Sequence, residues 1–354
     1  MNEKKSIWDS NAVYTFISII FGFLVGAILL TAAGINAGEA YSKLVTGVFS
    51  KPKFIMWAII YASPLILTGL SVAFSFRTGV FNIGAEGQFV MGSLAACVVG
   101  IKLSLPGPLH VLVCILAAMA AGAVWGAIVG LLKVKKGINE VLSYIMFNWI
   151  AFYFSNYVVN IPAIHREGGG EATRDIADTA RILMPEAIRK ATDCQSANWG
   201  ILLAIIAAVI IWFLINKTTL GYQLRAVGFN RHAAEYGGIN ANRAMMTAMA
   251  ISGAMAGLGG AVQLMGMSGR ISQFASEEMF GFQGITVALI GASNPIGCIF
   301  AGLFYGAMKY GGSKLSLIKT PSEVVDIIMG TIILFIAVSH IFRKLLAGRK
   351  KGGN

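Results

Sequence analysis

Charge is scarce in this 354-residue chain: Asp, Glu, Lys and Arg together make up 12% of it, against about 25% in a soluble globular domain. So few charges cannot cover a water-facing surface, which removes the ordinary soluble classes. No Gly-Lys dipeptide occurs, so no Walker A loop can wrap a nucleotide phosphate. The four histidines, His110, His165, His232 and His340, and the four cysteines, Cys97, Cys114, Cys194 and Cys298, lack the short spacings of a metal site. Three of the cysteines lie in apolar runs, where they read as small hydrophobes, and no structural disulfide is expected. Proline-rich linkers, low-complexity tracts and a nucleophile–base signature are missing as well. Neither an enzyme nor a resident metal or cofactor is expected from such a chain.

What fills the space instead is apolar: 56% of the residues are hydrophobic and the mean hydropathy is +0.72. Runs long enough to cross a bilayer, about 20 residues each, recur along the whole length. They are continuous rather than alternating, so they predict helices and not barrel strands. The fold class expected is all-α, a polytopic integral membrane helical bundle of about ten transmembrane helices. The spans are Ala12–Gly34, Phe54–Phe74, Phe81–Val99, Leu109–Leu132, Asn139–Asn160, Trp199–Ile215, Ala244–Met267, Phe282–Ser293, Pro295–Tyr310 and Val324–Phe342. The eighth and ninth are short and parted by "GASNPIG", which predicts a broken helix pair. The opening run exceeds the ~7–15 apolar residues of a signal-peptide core, so a retained first helix is expected.

The net charge of +12 does not point to nucleic acid, because Lys and Arg cluster between and after spans, as cytoplasmic loops do. Basic residues at Lys4, Lys5 and Arg77, in "KVKKG" (133–137), in the 216–243 loop and in the 343–354 tail put both termini in the cytoplasm. Lys309, Lys314 and Lys319 run against that bias. The long 161–198 loop falls outside. The whole of 1–354 thus reads as a single transmembrane domain. Small residues recur every four positions at Gly122, Gly126 and Gly130, at Gly253 and Gly257, and at Gly302 and Gly306. This spacing lets helix backbones approach closely, and it reads as packing. A faint echo links "FNIGAEGQFVMG" (81–92) to "FGFQGITVALIG" (280–291).

Three polar stretches interrupt the grease. In "GVFNIGAEGQFV" (79–90), a helix begun at Phe81 puts Asn82, Glu86, Phe89 and Ser93 on one face, with Gln88 off it. An acid in a span is a functional-site hypothesis by default. Glu86 either hydrogen-bonds a polar solute, pairs with Arg77, or caps backbone in a glycine-rich break, and the residues alone leave these open. In "KKGINEVLSYIMFNWI" (135–150), Asn139 and Glu140 suit a helix N-terminus. Tyr144 and Asn148 follow at four-residue steps, and Asn148 in mid-span either lines a path or joins two helices. In "LGYQLRAVGFNRHAAEYGGINANRAM" (220–245), residues Asn230 to Tyr236 form a short helix between Gly228 and Gly237–Gly238. Too short to stand alone in water, it must dock, on the underside of this chain or on another protein.

Together "NIGAEGQ" (82–88), "GINEV" with "IMFN" (137–141, 145–148) and "LRAVGFNRHAAEYGGIN" (224–240) resemble permease subunits of bacterial ABC importers. The closest group is the nucleoside permeases, within the ribose and branched-chain amino-acid permease family. The resemblance runs through nearly the whole chain, including "GFQGITVALIGASNPIG". It implies uptake by alternating access, with ATP used by a separate cytoplasmic ATPase and not bound by this chain. It also implies a second related permease subunit, an extracytoplasmic substrate-binding lipoprotein, a nucleoside substrate and a multi-pass place in the bacterial plasma membrane. The resemblance puts Asn82, Glu86, Gln88 and Asn148 near the path, and Phe89, Ser93, Tyr144 and Asn294 are the further path candidates. The coupling surface is Gly228, Asn230, Arg231, Ala233, Ala234, Tyr236 and Gly237. "LSYIMFN" departs from relatives that carry a Ser/Thr pair, and the bulk of Tyr144 narrows the passage. The rivals are a ribose or branched-chain amino-acid cargo, a proton-coupled secondary transporter using Glu86 or Asp326, and a membrane enzyme.

Overall fold

A computed structural model describes residues 11–168 and 170–351, so Lys4, Lys5 and the last three residues of the tail lie outside the described residues. In chain order the helices are α1 (Asn11–Ala32), α2 (Ala37–Phe49), α3 (Pro52–Arg77), α4 (Ala85–Lys102), α5 (Gly107–Lys136), α6 (Glu140–Val159), α7 (Glu186–Ala191), α8 (Gly200–Lys217), α9 (Thr219–Phe229), α10 (Arg231–Tyr236), α11 (Ala241–Gln263), α12 (Phe280–Ile290), α13 (Pro295–Ser313) and α14 (Val324–Lys351). Among the described residues there is no strand, only isolated bridges such as His165 with Thr173 and Ala172 with Ser272. The protein is all-helical. Among the described residues five segments are long and apolar enough to cross a membrane: Thr15–Ala32, α3, α5, α8, and α11 with its π-helical extension to Ser268.

The chain divides into two compact units, one formed by Ile55–Gly306 and the other by the described parts of Met1–Phe54 and Ala307–Asn354. In the second, α1 packs on α14, with Phe21 stacked on Phe335 at 5.0 Å. The Lys314 ammonium lies 5.0 Å from the Phe54 ring and 4.9 Å from the Tyr310 ring. Helix α2 was not expected, being too short and polar to register as a span. Asn36 caps it, accepting from Gly38 and Glu39 amides at 3.0 and 3.2 Å. Ala40, Leu44 and Val48, at four-residue steps, bury its one apolar stripe.

Within Ile55–Gly306 the centre is α11, packed along both α5 and α4. Helix α5 shows the logic: it buries Cys114, Ala118, Gly122, Gly126 and Gly130, and exposes Leu109, Leu112, Leu116 and Val124. Small residues face protein and large apolar ones face out, the reverse of a soluble helix and the pattern expected against lipid. The glycines permit backbone contact. A Cβ on Gly253 would collide with the Gly122 carbonyl, and one on Gly122 with that of Gly253.

One helix starts later than its sequence pattern implies. Helix α4 begins at Ala85, not at Phe81, because Asn82 folds its own Oδ1 onto the Gly84 amide at 2.9 Å and holds residues 82–84 as a turn. The supposed helical stripe from Asn82 to Ser93 therefore starts at Glu86. Helices α12 and α13 are separate, parted by a turn in which Ala292 and Ser293 adopt positive φ.

Gly253→Leu is expected to destabilise the α5–α11 contact by about 1–3 kcal/mol, as overpacking does. Gly330→Ala, at a site with nothing within 4 Å, should leave the melting temperature of the detergent-solubilised protein unchanged. Equal melting temperatures for the two variants would contradict the packing described.

Candidate functional site

The N-termini of α4 and α12 meet, bringing together the two echoing stretches of sequence. Neither helix is capped by its own N-cap side chain: the caps are Gly84 and Met279, the latter at φ +69°. The exposed amides are satisfied from elsewhere. Glu86 Oε1 accepts from the Met279 amide at 2.8 Å and Oε2 from the Gly281 amide at 2.6 Å. Gly281 is obligatory there, since any Cβ would enter the Glu86 backbone. Of the readings left open for Glu86, the geometry shows backbone capping. Arg77 turns elsewhere, its Nε donating to the Ser293 carbonyl at 3.0 Å.

The start of α4 is held by α6. Asn148 Oδ1 accepts from the Gly87 amide at 2.9 Å, and its Nδ2 donates to the Ile83 carbonyl at 3.1 Å. Asn82 binds on the other side, donating from Nδ2 to Gln88 Oε1 (2.9 Å), Ser71 Oγ (3.1 Å) and Ser252 Oγ (2.7 Å). Gln88 returns a bond from Nε2 to Asn82 Oδ1 at 3.3 Å. This network ties α3, α4 and α11 at one point. Asn82, Glu86, Gln88, Tyr144 and Asn148 are all buried.

In front of this layer lies a cavity of about 400 Å³, within the roughly 300–1,000 Å³ of small-molecule sites. Phe89, Val90 and Ser93 of α4 and Gln263 of α11 form its inner wall, and residues 268–278 form the outer one. Phe89 is braced from behind by Phe280, with stacked rings 5.1 Å apart. The outer wall is stitched to the 161–198 loop by backbone hydrogen bonds: Thr173 to Ile271 (2.8 Å), Ile176 to Gly269 (2.9 Å) and Gln273 to Glu171 (2.7 Å).

Of the path residues expected from sequence, Phe89 and Ser93 line this cavity. Asn82, Glu86, Gln88, Tyr144 and Asn148 form the layer behind. Asn294 is exposed beyond the far end of α12, where its Oδ1 caps the start of α13 on the Ile296 amide at 3.0 Å. Sequence reasoning passed over Gln263 and the stretch "SGRISQFASEE" (268–278), which reads as an ordinary loop. Its density of polar residues between two apolar runs was the available signal.

Helices α9 and α10 make up most of the 216–243 loop. Asn230 caps α10 by accepting from the Ala233 amide at 3.0 Å, and Arg231 pairs with Glu235 at 3.1 Å. Ala234 is buried. Ala233 faces out, as do Phe229 and Tyr236, which are 91% and 98% exposed. Gly228 touches the α3 end: a Cβ on Gly79, at φ +75°, would stand 2.6 Å from the Gly228 Cα. Gly237 ends α10.

Outward-facing apolar helices around a polar cavity walled by a non-helical segment define a multi-pass membrane protein of the solute-passing kind. The chain belongs to the family of permease components of branched-chain amino-acid transport systems, whose profile matches residues 54–337. It is a permease subunit and not itself an enzyme; among the described residues no group of His, Cys, Asp or Glu could hold a metal ion. It is similar to the guanosine ABC transporter permease NupP of Bacillus subtilis, at 39% identity over 97% of this chain and 98% of that one. It is also similar to the nucleoside ABC transporter permease NupB of Lactococcus lactis, at 35% over 99% and 96%. The glucose ABC transporter permease TsgB13 of Haloferax volcanii is 30% identical over 94% and 88%. The first two organisms each hold a second, more distant relative, NupQ at 28% and NupC at 26%.

Glu86→Ala leaves two helix-end amides without an acceptor and is expected to cost about 2–4 kcal/mol, at roughly 1–2 kcal/mol per lost charge-assisted bond. Glu86→Gln keeps one acceptor and should lose about half as much. Thermal melts of the purified protein check the order; an unaffected Glu86→Ala melt would contradict the capping role.

Proposed function

We propose that this chain is the nucleoside-conducting permease of an ATP-driven importer. The observation that carries this reading is similarity at 35–39% identity over nearly the full chain to permeases named for guanosine and for nucleosides. The cavity's size and its two aromatic side chains, Phe89 and Phe274, suit a flat base with a polar sugar. Glucose, named for the 30% relative, supports a sugar cargo as the second reading.

About ten helices cross the bacterial plasma membrane, with both termini in the cytoplasm and residues 161–198 outside. The pairs NupP with NupQ and NupB with NupC support a second, related permease completing the pathway. Helix α10 docks on the cytoplasmic ATPase: Gly228, Asn230 and Gly237 shape it, Arg231 and the buried Ala234 anchor it, and Ala233 and Tyr236 meet the partner. The 161–198 loop receives cargo from a binding lipoprotein. Closure of the ATPase pulls α9–α10, and the Gly79–Gly228 backbone contact passes that pull to the turn before α4. The halves then rock about the cavity. Phe89 and Ser93 touch the solute, and Asn82, Glu86, Gln88, Tyr144 and Asn148 keep its wall in place. Asn294 supports the turn at the inner end of α12.

In cells lacking this chain, uptake of tritiated guanosine should fall to background, while re-expression restores it only when the ATPase is intact. Concentrative uptake by the chain alone in sealed vesicles would overturn the ATP-driven reading, and loss of ribose but not guanosine uptake would overturn the cargo. Tyr236→Asp should cut uptake at least about tenfold with the protein folded and membrane-inserted; wild-type uptake would remove α10 from the docking surface.

A further inference from the structure

Among the described residues that line the cavity, Gln263 alone has a buried side-chain oxygen without a donor; in the layer behind, the Tyr144 hydroxyl is also without a partner. The side-chain oxygens of Asn82, Glu86, Gln88 and Asn148, in the layer behind, all accept hydrogen bonds. Gln263 lines the cavity itself, and its Oε1 is buried with no donor among the described residues. A buried amide oxygen left without a donor is unfavourable, and such an atom on a cavity wall is completed by a donor that arrives in the cavity.

The rest of the wall has a sign. Glu277 and Glu278 bring two carboxylates, and Ser93 and Gln273 add oxygens that can accept. Arg270, the one cation among the described lining residues, is drawn toward Asp175 at 3.7 Å. An acceptor-rich, acid-bearing wall suits a solute that is uncharged and donates hydrogen bonds through N–H and O–H groups. It disfavours one that carries phosphate, which brings about −1.5 to −2 charge at neutral pH.

We propose that Gln263, with Glu277 and Glu278, reads the cargo in this cavity, Gln263 Oε1 accepting from a base or ribose donor while the two carboxylates turn away the 5′-phosphate. The assignment rests on the nucleoside reading above and adds the side chains that select the nucleoside over its nucleotide. Selection here acts after delivery: whatever reaches the cavity is tested a second time, so a phosphorylated relative that slips past an outer receptor is still refused.

The test uses the whole importer in lipid vesicles, photolabelled with tritiated 8-azidoguanosine, with guanosine or guanosine 5′-monophosphate as competitor and label on this chain as the readout. In the wild type, guanosine should protect at concentrations at least about tenfold below the monophosphate. Gln263→Met, which fills similar space without an acceptor, should weaken guanosine protection about tenfold. Gln263→Glu, which keeps acceptor oxygens, should stay within about threefold of wild type. Glu277→Gln combined with Glu278→Gln should bring the two competitors within about threefold of each other. Wild-type protection in Gln263→Met, or an unchanged preference in the double glutamine variant, overturns the assignment. Should Gln263→Met not assemble, the other two variants decide. A wild-type complex that guanosine does not protect at all overturns the nucleoside reading, and is told apart because it shows without any substitution.

Discussion

The structure of the central unit depends on one carboxylate. Glu86 fills the amides of Met279 and Gly281, and in doing so fixes the N-terminus of α12 against that of α4. Two helix N-termini facing each other carry like partial charges, of about half a unit each. Without an acceptor between them they would repel and would leave amides exposed where no water can serve them. In other transporters such half-helix ends are turned toward an anionic solute. Here the chain supplies the acceptor itself, through the Glu86 carboxyl group.

From that joint the remaining parts fall into mechanical order. The Asn82–Gln88–Ser71–Ser252 network holds α3, α4 and α11 together immediately beside it, and Asn148 adds α6. The 268–278 wall of the cavity is continuous, through backbone hydrogen bonds, with the 161–198 loop. The Gly79–Gly228 contact links the α3 end to α9. Both the 161–198 loop and the α9–α10 segment thus reach the α4 region through backbone contacts. Backbone contacts transmit displacement better than side-chain contacts, because they leave no rotamer to absorb it.

The small-residue faces were legible because their reason is local: glycine every fourth residue in an apolar run has little other use, and α5 and α11 pack on those faces. The short α10 was legible from its flanking glycines and from Asn230. The start of α4 was not. Residues 81–84 look helical by hydropathy, yet Asn82 bonds the Gly84 amide, and just before them Gly79 takes positive φ against Gly228, 149 residues away in sequence. Helix α2 escaped because a length rule for spans ignores a short helix that buries a single stripe.

The sequence by itself determined that the chain lives in a membrane as helices, because hydrocarbon admits no unpaired backbone and the apolar runs have the length. It also singled out Asn82, Glu86, Gln88 and Asn148, since polar groups in apolar segments must have partners. Which partners those were, only the tertiary structure decided. Glu86 meets amides nearly 200 residues away, and Gln263 comes to face the 268–278 segment across a cavity. Spacing along a chain fixes which residues share a helix face, and carries no record of which other segment that face will meet.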